Sequence, residues 1–89
     1  MPKVIIYTTP FCSYCIAAKT LLTGKEVAYD EIDVSGDHSL RAEMSQKAFG
    51  RTSVPQIWIG DEHIGGFNEL YGLDREGKLD ALLNVVDNE

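Results

Sequence analysis

The chain opens with an apolar run, Val4-Ile5-Ile6-Tyr7, that leads through Thr8-Thr9-Pro10 to Cys12 and Cys15. Consecutive large apolar residues without alternation fit a central strand covered on both faces. Proline, with no N–H to donate, then stops the ladder. Past that point the period changes. Cys15, Ala18, Leu21 and Leu22 recur at helical spacing, which predicts a helix with Cys12 at its N-terminus and Gly24-Lys25 at its end, the glycine as its left-handed C-terminal residue. Residues 27–34 are rich in β-formers but break strict alternation at Asp30-Glu31. After the loop Ser35-Gly36-Asp37, either Asp37 or Ser39 can cap a helix carrying Leu40, Met44 and Ala48, which Gly50 ends. A β-α-β order with so short a helix implies parallel strands joined by a right-handed crossover.

The second half reads differently. Gln56-Ile57-Trp58-Ile59 and Glu62-His63-Ile64 flank Gly60-Asp61, a two-residue turn signal, and predict a hairpin. Gly65-Gly66 follows, and Asn68 can cap a short helix through Leu70, Tyr71 and Leu73. Leu79, Leu82, Leu83 and Val86 continue the helical pattern as a core-facing lid, with a break near Glu76-Gly77 left open and Asp87-Asn88-Glu89 as a frayed tail. The expected fold is one α/β domain over residues 1–89, a four-stranded mixed sheet flanked by helices in the order β-α-β-α-β-β-α.

Composition narrows the function. No apolar run approaches the roughly 20 residues of a membrane span, and a net charge of −6 argues against nucleic-acid binding. The charge is uneven. Residues 1–25 hold Lys3, Lys19 and Lys25 and no acid, so no carboxylate neighbours Cys12 in sequence to oppose an anionic sulfur. The start Met1-Pro2-Lys3 carries no signal peptide, which points to a reducing, cytoplasmic setting and against a structural disulfide.

Cys12-Ser13-Tyr14-Cys15 is therefore the candidate chemistry. The first turn of a helix leaves N–H groups unpaired and carries partial positive charge, and both favour a sulfur anion. Cys12 is the expected nucleophile, and Cys15, about one turn further in and shielded, the resolving thiol. Half of a zinc site is the competing reading of Cys-X-X-Cys. It fits poorly, because no second cysteine pair exists and His38 and His63 lack metal-ligand spacing. Both histidines are expected on the surface without a role.

Tyr7-Thr8 leading into Cys12-Ser13-Tyr14-Cys15, Arg51-Thr52-Ser53-Val54-Pro55, the Ile64-Gly65-Gly66 turn, and Leu70-Tyr71 with Leu73-Asp74 together resemble the small dithiol glutaredoxins of the thioredoxin fold, over nearly the whole chain. Thioredoxin itself fits less well, since Trp58, the only tryptophan, falls in the hairpin rather than beside the cysteines. The resemblance implies glutathione as the partner and reductant, and glutathionylated or disulfide-bonded proteins as substrates. It implies a cis bond before Pro55, with Val54 offering its backbone to glutathione as a short added strand. It implies that Gly66, Phe67 and Asn68 receive the γ-glutamyl carboxylate at a helix start, that Tyr14 flanks the sulfur entrance, and that Arg41 reaches the glycyl carboxylate.

Three positions depart from the family pattern. Thr9 stands where lysine is common, Asn68 replaces an aspartate that would accept from the glutathione ammonium, and Ser13 replaces proline. The implied mechanism is thiol–disulfide exchange through Cys12 in a monomer. A rival of another class is a [2Fe–2S] cluster held across a dimer by Cys12 of each chain and two glutathiones, a reading that Ser13 motivates. A third is a reductase served by a flavoenzyme instead of glutathione.

Overall fold

In a computed structural model that describes residues 2–84, the expected sheet is present. The elements are β1 (Val4–Thr8), α1 (Ser13–Gly24), β2 (Asp30–Asp33), α2 (His38–Lys47), β3 (Gln56–Ile59), β4 (Glu62–Gly65), α3 (Phe67–Arg75) and α4 (Leu79–Leu83). The strand order is β2-β1-β3-β4. Strand β1 pairs in parallel with β2, Ile6 opposite Glu31, and antiparallel with β3, Ile6 opposite Ile57. The hairpin turns at Gly60-Asp61, with Ile59 opposite Glu62 and an irregularity at Ile57-Trp58.

The unbroken apolar run of β1 follows from its position. Val4 and Ile6 face a core built with Ala18 and Leu22 of α1, Leu70 of α3, and Leu79 and Leu83 of α4. Tyr7 faces the opposite side with Val34 and Met44, and Ile5, Leu40, Val54 and Trp58 pack against that second cluster. Both faces of the strand therefore demand apolar residues, as expected where helices cover a sheet on two sides.

Three expectations change. The second strand spans only Asp30–Asp33, because the Val27 N–H is used elsewhere, donating to the Leu22 carbonyl at 3.1 Å to close the end of α1. At the edge of the sheet the strand needs apolar cover on little of its surface, so Asp30 and Glu31 are tolerated. Gly24 lies inside α1, and the left-handed residue of its terminus is Glu26, with φ 59°. Finally, α3 is capped by Gly66, not Asn68. Glu69, the third helical residue, reaches back so that its carboxylate accepts from the Gly66 N–H at 2.6 Å, the acidic half of a capping box. Elsewhere the caps agree, since Asp37 accepts from the Leu40 N–H at 2.9 Å. The break near Glu76-Gly77 is real, with Gly77 at φ 74° between α3 and α4. Val86 and Asp87-Asn88-Glu89 lie outside the described residues. No helix among the described residues is long and apolar enough to cross a membrane.

Lys25 ties α1 to the C-terminal helices through Asp74 at 2.7 Å and Asp80 at 3.0 Å. The apolar contacts beneath it matter more. Leu22 is fully buried, so Leu22→Ala should lower unfolding free energy by about 2–5 kcal/mol, read as a reduced urea midpoint at unchanged slope. Glu26→Gly should instead raise it by about 0.5–1 kcal/mol, since glycine relieves the left-handed backbone at some cost in chain entropy.

Candidate active site

Where β1 ends, the chain passes through Thr9-Pro10 and Phe11, the latter left-handed at φ 61° and fully exposed, before α1 begins. Cys12 is the N-cap of α1, with extended backbone (φ −107°, ψ 110°), and its sulfur takes the place of the usual capping oxygen. It accepts from the Cys15 N–H at 3.2 Å and lies 3.8 Å from the Val54 carbonyl. Cys12 is half-buried, whereas Cys15 is 1% exposed, and both are free thiols. Burial pushes the Cys15 thiol up to about 12, with a further upward push from its hydrogen bond with Cys12 and a partial offset from a backbone hydrogen bond with Thr9. At neutral pH, then, Cys15 holds its proton while Cys12 meets solvent at a helix end whose donors face it.

Beside Cys12, whose sulfur neighbours Val54, a cleft of about 230 Å³ runs between the Ser53-Val54-Pro55 segment and the start of α3. The Val54–Pro55 peptide is cis. Gly66, Phe67 and Asn68 form the opposite wall. The N–H groups of Phe67, Asn68 and Glu69 belong to the first turn of α3 and have no intrahelical acceptor, so this wall presents donors and partial positive charge. Tyr14 is exposed at the entrance, its ring 6.2 Å from that of Phe67, which in turn stacks on Tyr71 at 5.7 Å.

Three cleft residues are not among those the sequence marks for the site, Arg51, Ser53 and Glu69. The Arg51 guanidinium lies 3.5 Å from the Glu69 carboxylate. The Gly66 N–H holds that carboxylate below its ordinary range, and Arg51 adds to the effect. Their packing explains Gly65, which sits at φ 113°. A Cβ there would fall 2.7 Å from Glu69 Oε1 and 2.8 Å from Arg51 Nη1. The signals were present in the sequence, an acidic residue three positions after Gly66 and an arginine opening the Arg51-Thr52-Ser53-Val54-Pro55 motif, but capping had been assigned to Asn68.

Of the residues expected at a binding site, Tyr14, Val54, Pro55, Gly66, Phe67 and Asn68 line one cleft. Arg41 and Thr9 do not. Arg41 donates through Nε and Nη2 to the Thr52 carbonyl, at 3.2 and 2.9 Å, and faces a separate depression on the outside of that loop. Thr9 is half-buried behind the cysteines. His63 departs from expectation. It is not a surface residue but half-buried between Trp58 and Phe49, with its Nε2 2.7 Å from Gln56 Oε1. The carboxylate-free surroundings of the first segment also exist only in sequence. Glu31 accepts from Thr8 Oγ1 at 2.7 Å and from Lys19 Nζ at 2.9 Å, one helical turn beyond Cys15. Among the described residues no group of three or more His, Cys, Asp or Glu side chains could hold a metal ion.

Comparison with known proteins agrees with this geometry. The family model for glutaredoxin matches residues 4–64. A glutaredoxin of Pseudomonas aeruginosa is 57% identical over 85 residues, covering 96% of this chain and 100% of that one. The solution structure of a glutaredoxin from Brucella melitensis superposes with a TM-score of 0.83 at 53% identity, over 93% of this chain and 89% of that one. A buckwheat glutaredoxin in complex with glutathione superposes with a TM-score of 0.83 at 27% identity, over 92% and 76%. The chain thus belongs to the glutaredoxin family, thiol–disulfide oxidoreductases of the thioredoxin fold that work with glutathione.

Proposed function

We propose that this chain is a single-domain, monomeric reductase of the cytoplasm that reduces protein–glutathione mixed disulfides and protein disulfides through Cys12, with Cys15 resolving. The observation that carries the reading is the shared cleft. Val54 and the open N-terminus of α3 line one groove, and the Cys12 sulfur lies 3.8 Å from the Val54 carbonyl at its side.

Glutathione fits that groove in an extended pose. Its cysteinyl backbone pairs with the N–H and C=O of Val54 as a short added strand, which brings its sulfur to Cys12. Its γ-glutamyl carboxylate meets the N–H groups at the start of α3. Its ammonium meets the Glu69 carboxylate, which supplies at the next position the charge that Asn68 lacks. Arg51 faces the same carboxylate groups.

The Cys12 thiolate attacks the glutathione sulfur of a mixed disulfide. The protein thiolate leaves and takes up a proton, and glutathione stays on Cys12. The thiolate of a second glutathione then attacks that glutathione sulfur, releasing oxidised glutathione and the Cys12 thiolate, so one free glutathione is consumed for each mixed disulfide reduced. Alignment of three sulfurs is most of the catalytic task, since exchange needs no other bond to break. For a protein disulfide, Cys12 forms a mixed disulfide with the substrate. Cys15 gives up its proton and attacks Cys12, expelling the substrate thiolate and leaving a Cys12–Cys15 disulfide for glutathione to reduce. A buried thiol held protonated delays this second attack until the substrate is engaged.

A [2Fe–2S] cluster is the competing occupant. One chain offers one accessible thiol, so the residues of a single chain do not fit it. Four sulfurs would require a second chain and two glutathiones.

In an assay of glutathione mixed-disulfide reduction coupled to glutathione reductase, Cys12→Ser should abolish turnover. Cys15→Ser should retain it while losing reduction of protein disulfides, and turnover by Cys12→Ser would overturn the assignment. Wild-type protein without turnover, but with visible absorbance lost on removal of glutathione, would favour the cluster. Because burial holds the Cys15 thiol near 12, iodoacetamide at pH 8 should add one carbamidomethyl group, at Cys12, as read by peptide mass spectrometry. Glu69→Gln keeps an acceptor for the Gly66 N–H but removes the charge. It should raise KM for the mixed disulfide by roughly threefold to tenfold with kcat little changed, and an unchanged KM would remove the ammonium contact.

A further inference from the structure

Gln56 is fully buried and polar, one of two such residues among those described, and it directly follows the cis Val54–Pro55 bond. Both ends of its amide are engaged. The Nε2 group donates to the Ser53 carbonyl at 3.0 Å and lies 3.3 Å from Ser53 Oγ, while Oε1 is 2.7 Å from His63 Nε2. A carbonyl oxygen only accepts, so the amide nitrogen must face Ser53 and the amide oxygen must face His63. His63 therefore donates through Nε2–H. Its ring is held for that bond by Trp58, 4.7 Å away centroid to centroid, and by Phe49 at 5.7 Å.

These contacts form one chain of donors running from the β4 strand to the cleft. His63 orients Gln56, Gln56 holds the Ser53 carbonyl, and the peptide plane so held also carries the Val54 N–H, which adjoins the Val54 carbonyl 3.8 Å from the Cys12 sulfur. Ser53 is itself exposed on the cleft wall, with no helix or strand to restrain it. A loop in that position would sample other peptide orientations. An amide buried beneath it, with no alternative partner, fixes one of them, because leaving that amide unsatisfied in the core costs more than the bond itself yields.

We propose that Gln56 is a positioning residue for glutathione recognition, setting the orientation of the Ser53–Val54 peptide, and that His63 acts through it by fixing which way the amide points. The inference rests on the reading of Val54 as the backbone partner of glutathione. It adds that specificity for the tripeptide depends on a side chain that never touches it.

Two measurements separate this inference from the reading beneath it. In the coupled assay, Gln56→Met should raise KM for a glutathione mixed disulfide about tenfold, as expected for loss of a buried hydrogen bond, with kcat and the rate of Cys12 alkylation within about twofold of wild type. His63→Phe keeps the stack on Trp58 but lacks the donor and should raise KM in the same direction by less. The double variant should be no worse than Gln56→Met alone, because both act through one path. Independently of any substrate, backbone ¹⁵N relaxation should report Ser53 and Val54 as rigid in wild type, with order parameters near 0.85, and lowered towards 0.6 in Gln56→Met, with β3 unchanged. Unchanged order parameters at these two residues would overturn the inference whatever the assay reports. So would KM effects that multiply in the double variant. Wild-type protein that does not turn over would defeat the glutathione reading and the recognition role with it, whereas turnover with unchanged order parameters in Gln56→Met would defeat the inference and leave that reading standing.

Discussion

Burial of β1 on both faces is the constraint on which the site depends. A strand enclosed by α1, α3 and α4 on one side and by α2 on the other cannot shift in register without moving apolar side chains out of two cores at once. Its end is therefore fixed. The connection that follows is short, and it reaches the start of α1 through the left-handed Phe11. Cys12 then occupies the N-cap, where a side chain must accept from the first turn, and sulfur accepts where oxygen is usual. The same strand, through its antiparallel partner β3, also fixes where the Pro55 segment enters the sheet. Nucleophile and opposing backbone are thus referenced to one rigid element.

The two sulfurs differ because one helical turn separates an end from an interior. Cys12 borders solvent and the cleft. Cys15, three residues on, has entered the packed face of α1 with Ala18 and Leu22. Desolvation alone is enough to keep its proton in place. An order of reaction follows from packing, with no special residue required. In the proposed mechanism the half-buried sulfur at the helix end reacts first, and the fully buried one follows once a disulfide on Cys12 has given it a target within reach.

Most of the fold was legible in the sequence because its signals are local. The apolar run, the Gly60-Asp61 turn and the period change after Cys15 each act within a few residues, and the cap at Asp37 does too. What failed was decided either by a neighbouring group that won a local competition or by a partner distant in the chain. Val27 reads as a strand residue until its N–H is found closing α1. Asn68 reads as a cap until Glu69 reaches back past it to Gly66. His63 reads as a surface residue, since nothing in the sequence reveals that Trp58 and Phe49 enclose it or that Gln56 waits beneath. The same holds for Glu31, which closes on Thr8 and Lys19 across the sheet edge and puts a carboxylate near a segment that has none of its own.

Charge shows most clearly how sequence and structure part. A net of −6 with no acid in the first 25 residues suggests a reactive region of positive charge on an acidic body. In the fold, Lys3, Lys19 and Lys25 each pair with an acid from the later chain, Asp30, Glu31 and Asp74 respectively. Their fields are largely cancelled over a few ångströms, so they do little to attract an anion to the cleft. What faces the cleft is a different set: a helix N-terminus, one guanidinium and one carboxylate, the last two within 3.5 Å of each other. That arrangement matches neither a simple anion nor a cation. Arg51 alone would welcome any carboxylate or phosphate, and Glu69 beside it lowers the attraction for all of them. A ligand recovers the loss only by bringing a cation of its own close to its carboxylate, as the zwitterionic end of a γ-glutamyl group does. In the proposed pose the pair would select by requiring both charges together, which a bare disulfide or an anionic metabolite does not supply.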